Sequence, residues 1–226
     1  MSQFIVKKTT LKDQVYDYLK NGIIMGQIEP GERLIEEKIS EILKVSRSPI
    51  REAVRMLEKD GLLEVHTTGG VTVVNPSVDD FRNLYEIRVE MESLAAFYAA
   101  QRRDDVEVEE LKSYVNEMKE EKANDNFTEL LDVNFKFHEL IVYASKNPFL
   151  VSMTLQLRGV NSFYRKVILE ANPGYAEKAY EDHLKIFEAI ANQKPEQARQ
   201  LMRRHIEHDY KMFTKSAAIQ EVTQQC

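Results

Sequence analysis

Of the five histidines in this chain, three are spaced so that they could act together. Asn134 and His138 lie four apart on one predicted helix, so both project from the same face. His183 and His205 fall on two further predicted helices. Three inward imidazoles with one oxygen ligand can hold a divalent metal ion inside a helical bundle. A histidine on an amphipathic face is more often a hydrogen-bonded core residue, and spacing alone favours that plainer reading. His208, three residues past His205, is expected to face outward and receives no role. Asp132 is two residues before Asn134, about 200° around the helix, and cannot replace it. Arg88 stands four before Glu92. It either pairs with Glu92 on the helix surface or orients a ligand carboxylate bidentately. Arg158 is a second, weaker pocket candidate. The one cysteine, Cys226, supports neither a disulfide framework nor a thiolate cluster.

A different chemistry is written between Val45 and Gly61, V-S-R-S-P-I-R-E-A-V-R-M-L-E-K-D-G. The sequence predicts one short helix there, with Ser46 or Ser48 available as a cap and Pro49 suited to the first turn. Ile50, Ala53, Val54, Leu57 and Gly61 recur at helical spacing and form a stripe that faces a core. Arg47, Arg51 and Arg55 step by four along its flank. Such a helix suits the major groove of DNA: arginines reach phosphates or guanine edges, and Ser46 and Ser48 let the backbone come close. A solvated surface helix gives the same pattern, and this stretch alone does not separate the two.

The neighbouring elements position that helix. Leu34 to Leu43 predicts a short amphipathic helix, and Lys44-Val45 is a tight connection, which together give the spacing of a helix-turn-helix. Leu62–His66 and Val71–Val74 are β-prone runs joined by Thr67-Thr68-Gly69-Gly70, a hairpin signal. Helix-turn-helix plus hairpin makes a winged helix, with His66, Thr68 and Gly69 placed to meet DNA from the wing. A first helix is expected from Leu11 to about Met25. Asn75-Pro76-Ser77 reads as a boundary, giving a DNA-binding domain over 1–75 and a second domain over 76–226.

The second domain reads as helix throughout, near 78–102, 106–122, 127–144, 148–170, 174–191 and 195–215. Ser77 with Asp80 is expected to cap the first of these, and Asn126 with Glu129 the third. Pro148, Pro173 and Pro195 punctuate the rest. A polar, loose tail is expected from about Lys215. The expected fold is mainly α: a winged helix-turn-helix with a small β-hairpin, then an all-α antiparallel bundle.

Composition bounds the rest. The chain has 226 residues, 43% hydrophobic and 30% charged, as in soluble globular proteins. It shows no apolar run long enough for a membrane span and no signal-peptide pattern, so a cytoplasmic protein without membrane contact is expected. The net charge of −6 is uneven: residues 1–75 balance 11 basic against 11 acidic residues, and the whole excess falls in 76–226. The overall charge is therefore a poor argument against nucleic-acid binding.

P-G-E-R-L-I-E-E-K-I, then V-S-R-S-P-I-R-E-A-V-R-M-L-E-K-D-G-L, then G-G-V-T-V resembles the GntR family of bacterial transcription regulators over roughly residues 9 to 75. D-D-F-R-N-L-Y-E-I-R-V-E-M-E, F-H-E-L-I-V-Y-A-S-K-N-P-F-L and H-L-K-I-F-E-A-I-A-N-Q-K-P-E-Q-A-R-Q-L-M-R-R-H-I resemble the FCD ligand-sensing helical domain of the FadR subfamily, over about 78–213. The resemblance implies a homodimeric regulator that binds an imperfectly palindromic double-stranded operator and answers to a small carboxylate effector. It also implies a divalent metal, zinc or nickel before others, on Asn134, His138, His183 and His205. Asn134 stands where metal-binding members carry Asp, so its oxygen is neutral. Arg88 sits at the family's arginine position, as a candidate for the effector. With ordinary imidazoles, metal affinity is expected to fall as pH drops through about 6.5. The alternative in another class is a metal-dependent enzyme that uses its winged helix for protein contact, although no nucleophile elbow, phosphate loop or H-E-x-x-H is present.

Overall fold

Helix α1 (Leu11–Ile24) starts at Thr10, whose hydroxyl accepts from the Asp13 N–H at 3.3 Å while Asp13 takes the Thr10 N–H at 3.0 Å. This reciprocal cap satisfies two of the donors that a helix start leaves unpaired. The computed structural model describes residues 10–224 except 68, 125 and 173, and leaves undescribed the side chains of 158, 163, 170, 171 and 216–224. The chain divides into two compact units and passes from one to the other between Pro76 and Ser77.

In the first unit, strand β1 (Arg33–Leu34) precedes α2 (Glu36–Leu43) and α3 (Arg47–Lys59), and β2 (Leu63–Val65) and β3 (Val71–Val73) follow. The sheet is antiparallel in the order β1-β3-β2, with Leu34 opposite Val71 and Leu63 opposite Val73. The expected hairpin is therefore completed by a third strand. Leu34, expected to open a helix, is in that strand, because two residues are too short to show a period. Lys44 adopts the left-handed conformation at φ 54°, and Ser40 donates to the Val45 carbonyl at 2.7 Å, so the turn between α2 and α3 is tied by a side chain. Ile50, Ala53, Val54 and Leu57 are buried as the stripe predicts. Ser46 takes the capping backbone position, but neither serine makes a capping hydrogen bond. The third helical residue is Pro49, which has no N–H for the Ser46 hydroxyl to accept from.

The second unit holds α4 (Val78–Arg102), α5 (Asp105–Ala123), α6 (Phe127–Ala144), α7 (Pro148–Ala171), α8 (Tyr175–Ala191) and α9 (Pro195–Gln224). The Ser77–Asp80 cap forms as expected, and Asp104 with Glu107 makes another that sequence reasoning missed. Asn126 does not cap. Its ψ is 81°, against 161°, 171° and 175° at Thr10, Ser77 and Asp104. Nor is there a loose tail directly after Lys215: α9 runs on to Gln224. Residues 215–224 contain no Gly or Pro to stop it.

Ala95, Ala96, Ala99 and Ala100 form a fully buried small-residue stripe on α4, packed in one core with Phe137 and Ile141 of α6, Ile186 and Ile190 of α8, and Met202 and Ile206 of α9. A second cluster packs the Phe81 ring, tilted, against Phe213 at 4.0 Å and Tyr164 at 4.3 Å between ring centroids. Together they fix α4, α6, α7, α8 and α9 around one buried polar centre. Among the described residues, no helix is long and apolar enough to cross a membrane.

Candidate functional site

His138 on α6, His183 on α8 and His205 on α9 converge inside the second unit, each nearly excluded from solvent. The Nε2 atoms of His138 and His183 are 3.1 Å apart, and those of His183 and His205 are 3.2 Å apart. Phe137 packs against the His183 ring with centroids 4.8 Å apart. That packing holds the cluster from the apolar side.

At His138 the other ring nitrogen fixes which one is free. Glu92 accepts from His138 Nδ1 at 2.6 Å, and since a carboxylate only accepts, the proton sits on Nδ1 and the Nε2 lone pair faces the cluster. Asp182 stands 3.8 Å from His205 Nδ1. Burial and the neighbouring Arg165 charge push His138 down to about 3, and burial with the adjacent imidazoles holds His183 well below its ordinary value. These two rings remain neutral, in the metal-binding form, far below pH 6.5, so the expectation of proton competition near that value does not hold for them.

The donor set fits a zinc-like ion. Zn–N bonds of about 2.0–2.1 Å leave neighbouring nitrogens roughly 3.3 Å apart in a tetrahedral site, close to the His138–His183 and His183–His205 spacings. Carboxylates on the far ring nitrogens are the usual outer support for such histidines. Asn134, on the same α6 face as His138, directs its amide oxygen to Arg165 Nη1, from which it accepts a hydrogen bond, and it lines one cavity with Arg165, Tyr175 and His183. Asp132 points elsewhere, pairing with Lys136 at 2.6 Å.

Beside the histidines lies a buried ionic network. Arg88 donates from Nε to Glu92 at 2.7 Å, and its Nη2 is 3.5 Å from Asp209. The Arg88–Glu92 pair is therefore present but sits in the core rather than on the surface. Tyr175 donates to Asp209, and Arg165 Nη2 is 3.6 Å from Glu92. Burial disfavours the charge on Glu92, but Arg88, His138 and Arg165 more than offset it and hold the carboxyl well below its usual range. Sequence reasoning missed Arg165, Asp209 and Tyr175. Arg165 lies one heptad after Arg158, on nearly the same face, and Asp209 lies one helical turn after His205. These spacings are the sequence signals for Arg165 and Asp209, and Tyr175 has none. Arg158 itself lies on α7, with its side chain outside the described residues. His208 is half-buried and stacks on Tyr175, with ring planes 7° apart.

In the first unit, Ser46, Arg47, Ser48 and Arg51 are exposed together at the start of α3. Arg47 pairs with Glu37 and Arg51 with Glu36 of α2, each at 2.9 Å. In the hairpin, His66 Nε2 is 2.8 Å from the Thr72 hydroxyl. Gly69 and Gly70 have φ of 85° and 121°, and a Cβ on Gly70 would come within 3.1 Å of the Arg33 guanidinium. Thr68 lies outside the described residues.

Residues 11–73 match the family described as bacterial regulatory proteins, gntR family, and residues 83–208 match the FCD domain. The chain is 35% identical over 206 residues to the uncharacterized HTH-type transcriptional regulator YdhC of Bacillus subtilis (strain 168), a span that covers 90% of this chain and 91% of that one. It is 28% identical over 181 residues to the Nta operon transcriptional regulator of Aminobacter aminovorans, covering 80% and 84%. The solved structure of E. coli McbR/YncC superposes with a TM-score of 0.79 at 23% identity, covering 93% of this chain and 100% of that one, which is a likeness of fold. These relatives are regulators, and they lend the enzyme alternative no support.

Proposed function

This chain belongs to the GntR family of bacterial regulatory proteins and carries an FCD domain, and from that premise we propose how its DNA binding is controlled. It is a DNA-binding transcription regulator. In our reading it is a cytoplasmic homodimer and represses from an imperfect palindrome, with one α3 helix to each half-site about 34 Å apart. Arg47 and Arg51 read the major groove, Ser46 and Ser48 admit the backbone, and the hairpin at His66, Thr68 and Gly69 touches the flanking DNA. The name of a relative, the gluconate operon transcriptional repressor of Bacillus licheniformis, is in keeping with repression.

Control comes from the second unit, which also dimerises. His138, His183 and His205 hold a divalent ion, zinc or nickel, with Asn134 turning from Arg165 to offer its amide oxygen. Bound there, the ion supplies an electrophilic position for a small carboxylate effector, and Arg88 is its cationic neighbour. Arg158 has no observation of its own behind it. Effector binding changes operator affinity only if one arrangement of the dimer holds the effector more tightly than the other. The observation that carries the reading is the meeting of three buried imidazoles, with Nε2 atoms 3.1 and 3.2 Å apart in two pairs and one ring oriented by Glu92.

Elemental analysis tests it. After expression with zinc and nickel supplied, the wild type is expected to carry about one ion per chain, and His183→Ala close to none. Equal metal in both proteins, or none in the wild type, removes the ion from the account.

A further inference from the structure

The hairpin between β2 and β3 has no permanent cation of its own. Residues 62–75 contain no Lys or Arg, and the Nε2 of His66 lies 2.8 Å from the Thr72 hydroxyl. Proteins hold the DNA backbone chiefly through Lys and Arg at phosphates, so this hairpin lacks the usual means of attachment. Strand β1 supplies the charge instead. The Gly31 N–H donates to the Val73 carbonyl and the Val73 N–H to the Glu32 carbonyl, both at 2.9 Å, which pins β1 to β3. Side chains alternate across a sheet. Leu34, Val71, Leu63 and Val73 are buried, and Arg33, Thr72 and Glu64 share the opposite face in one cross-strand row.

Arg33 is exposed and, among the described residues, makes no ion pair. Arg47 and Arg51, by contrast, are each held by a glutamate. Glu64 is two strand spacings from Arg33, roughly 9.5 Å along the row. The Arg33 guanidinium reaches the hairpin turn: a Cβ on Gly70 would lie 3.1 Å from its Nη2, 3.3 Å from its Nε and 3.4 Å from its Cζ. Three atoms at nearly one distance place the flat face of the group over Gly70, where a side chain would displace it. Packed by its face, a guanidinium keeps its in-plane N–H donors free for an acceptor.

We propose that Arg33 is the cation of the wing and that its guanidinium binds a DNA backbone phosphate. This rests on the reading of the hairpin as a DNA-contacting wing, and it assigns the charge of that contact to a residue outside the hairpin. Gly70 serves the contact by leaving room for the guanidinium.

The test is fluorescence anisotropy of the full-length protein with two duplexes of about 30 base pairs, one of mixed sequence and one rich in A·T tracts, from about 50 to 200 mM KCl. Arg33→Gln is expected to make the logarithmic salt slope shallower by about 0.9 per bound chain on both duplexes, so that over this range it loses about three- to fourfold less affinity than the wild type. Arg33→Lys keeps the charge and is expected to keep the wild-type slope. Both variants are expected to melt with the wild type, since the side chain is exposed. An unchanged slope in Arg33→Gln overturns the proposal, because a residue that only stiffens the turn alters affinity equally at every salt concentration. A slope as shallow in Arg33→Lys as in Arg33→Gln overturns it too. A loss confined to the A·T-rich duplex moves the guanidinium into the minor groove and overturns the phosphate assignment. Wild-type protein that binds neither duplex removes the wing reading together with Arg33, whereas an unchanged slope beside a wild type that binds removes Arg33 alone.

Discussion

At His138, burial and the nearby Arg165 charge both oppose protonation, while Glu92 pulls the other way through its 2.6 Å hydrogen bond. The ring ends at about 3, and His183 is likewise held well below its ordinary value. In the unfolded chain both rings titrate near 6.5. Between about pH 3 and pH 6.5 the unfolded state therefore binds more protons than the folded one, so stability falls as pH falls. Glu92 and Asp209, both held below their ordinary values, add to the loss at the acid end of this range. The urea midpoint of the chelator-treated protein is expected to decline steadily from pH 6.5 to 4.5, and to decline less steeply in His183→Phe. A midpoint independent of pH over that interval would mean that these imidazoles are not buried and neutral.

Helix α3 shows both what is legible in the sequence and where that stops. Its apolar stripe and its exposed arginines follow from a period of 3.6, so the burial of Ile50, Ala53, Val54 and Leu57 follows from the order of residues alone. The missing Ser46 cap does not, because it depends on which donor is lost at Pro49. The helices of the second unit are legible for the same reason as α3, since long periodic segments bounded by Pro and Gly leave little choice. Strand β1 is too short to announce itself. The three histidines stand out as candidates through spacing and resemblance, whereas Arg165, Asp209 and Tyr175 come together only when α7, α8 and α9 pack. The same helix gives a direct test of DNA reading. Arg47 and Arg51 are tethered to Glu37 and Glu36 in exposed pairs that water and salt weaken, so they can exchange those partners for DNA. Arg51→Ala is expected to weaken specific operator binding about tenfold or more and to relax preference at one base pair of each half-site. Unchanged affinity and specificity in a folded variant would move base reading to other residues.

At the scale of the whole molecule, the proposed control requires a site in one compact unit to alter DNA binding by the other. A single helix-turn-helix offers little contact area, and two recognition helices set by a dimer supply both affinity and spacing. Sedimentation at micromolar concentration is expected to give twice the chain mass, and a monomer with and without DNA would contradict the dimer. The histidine cluster can act on the operator only through a difference in its affinity for two arrangements of that dimer, and by linkage the operator must then alter the affinity of the cluster for its ion. The most direct measurement is operator affinity of the full-length protein at fixed salt, by fluorescence anisotropy, with zinc present and after chelation, for the wild type and His183→Ala. The account predicts at least a fivefold difference between the two conditions for the wild type, and none for His183→Ala, which should still bind DNA. Equal wild-type affinity with and without zinc, in protein shown to carry the ion, would contradict it.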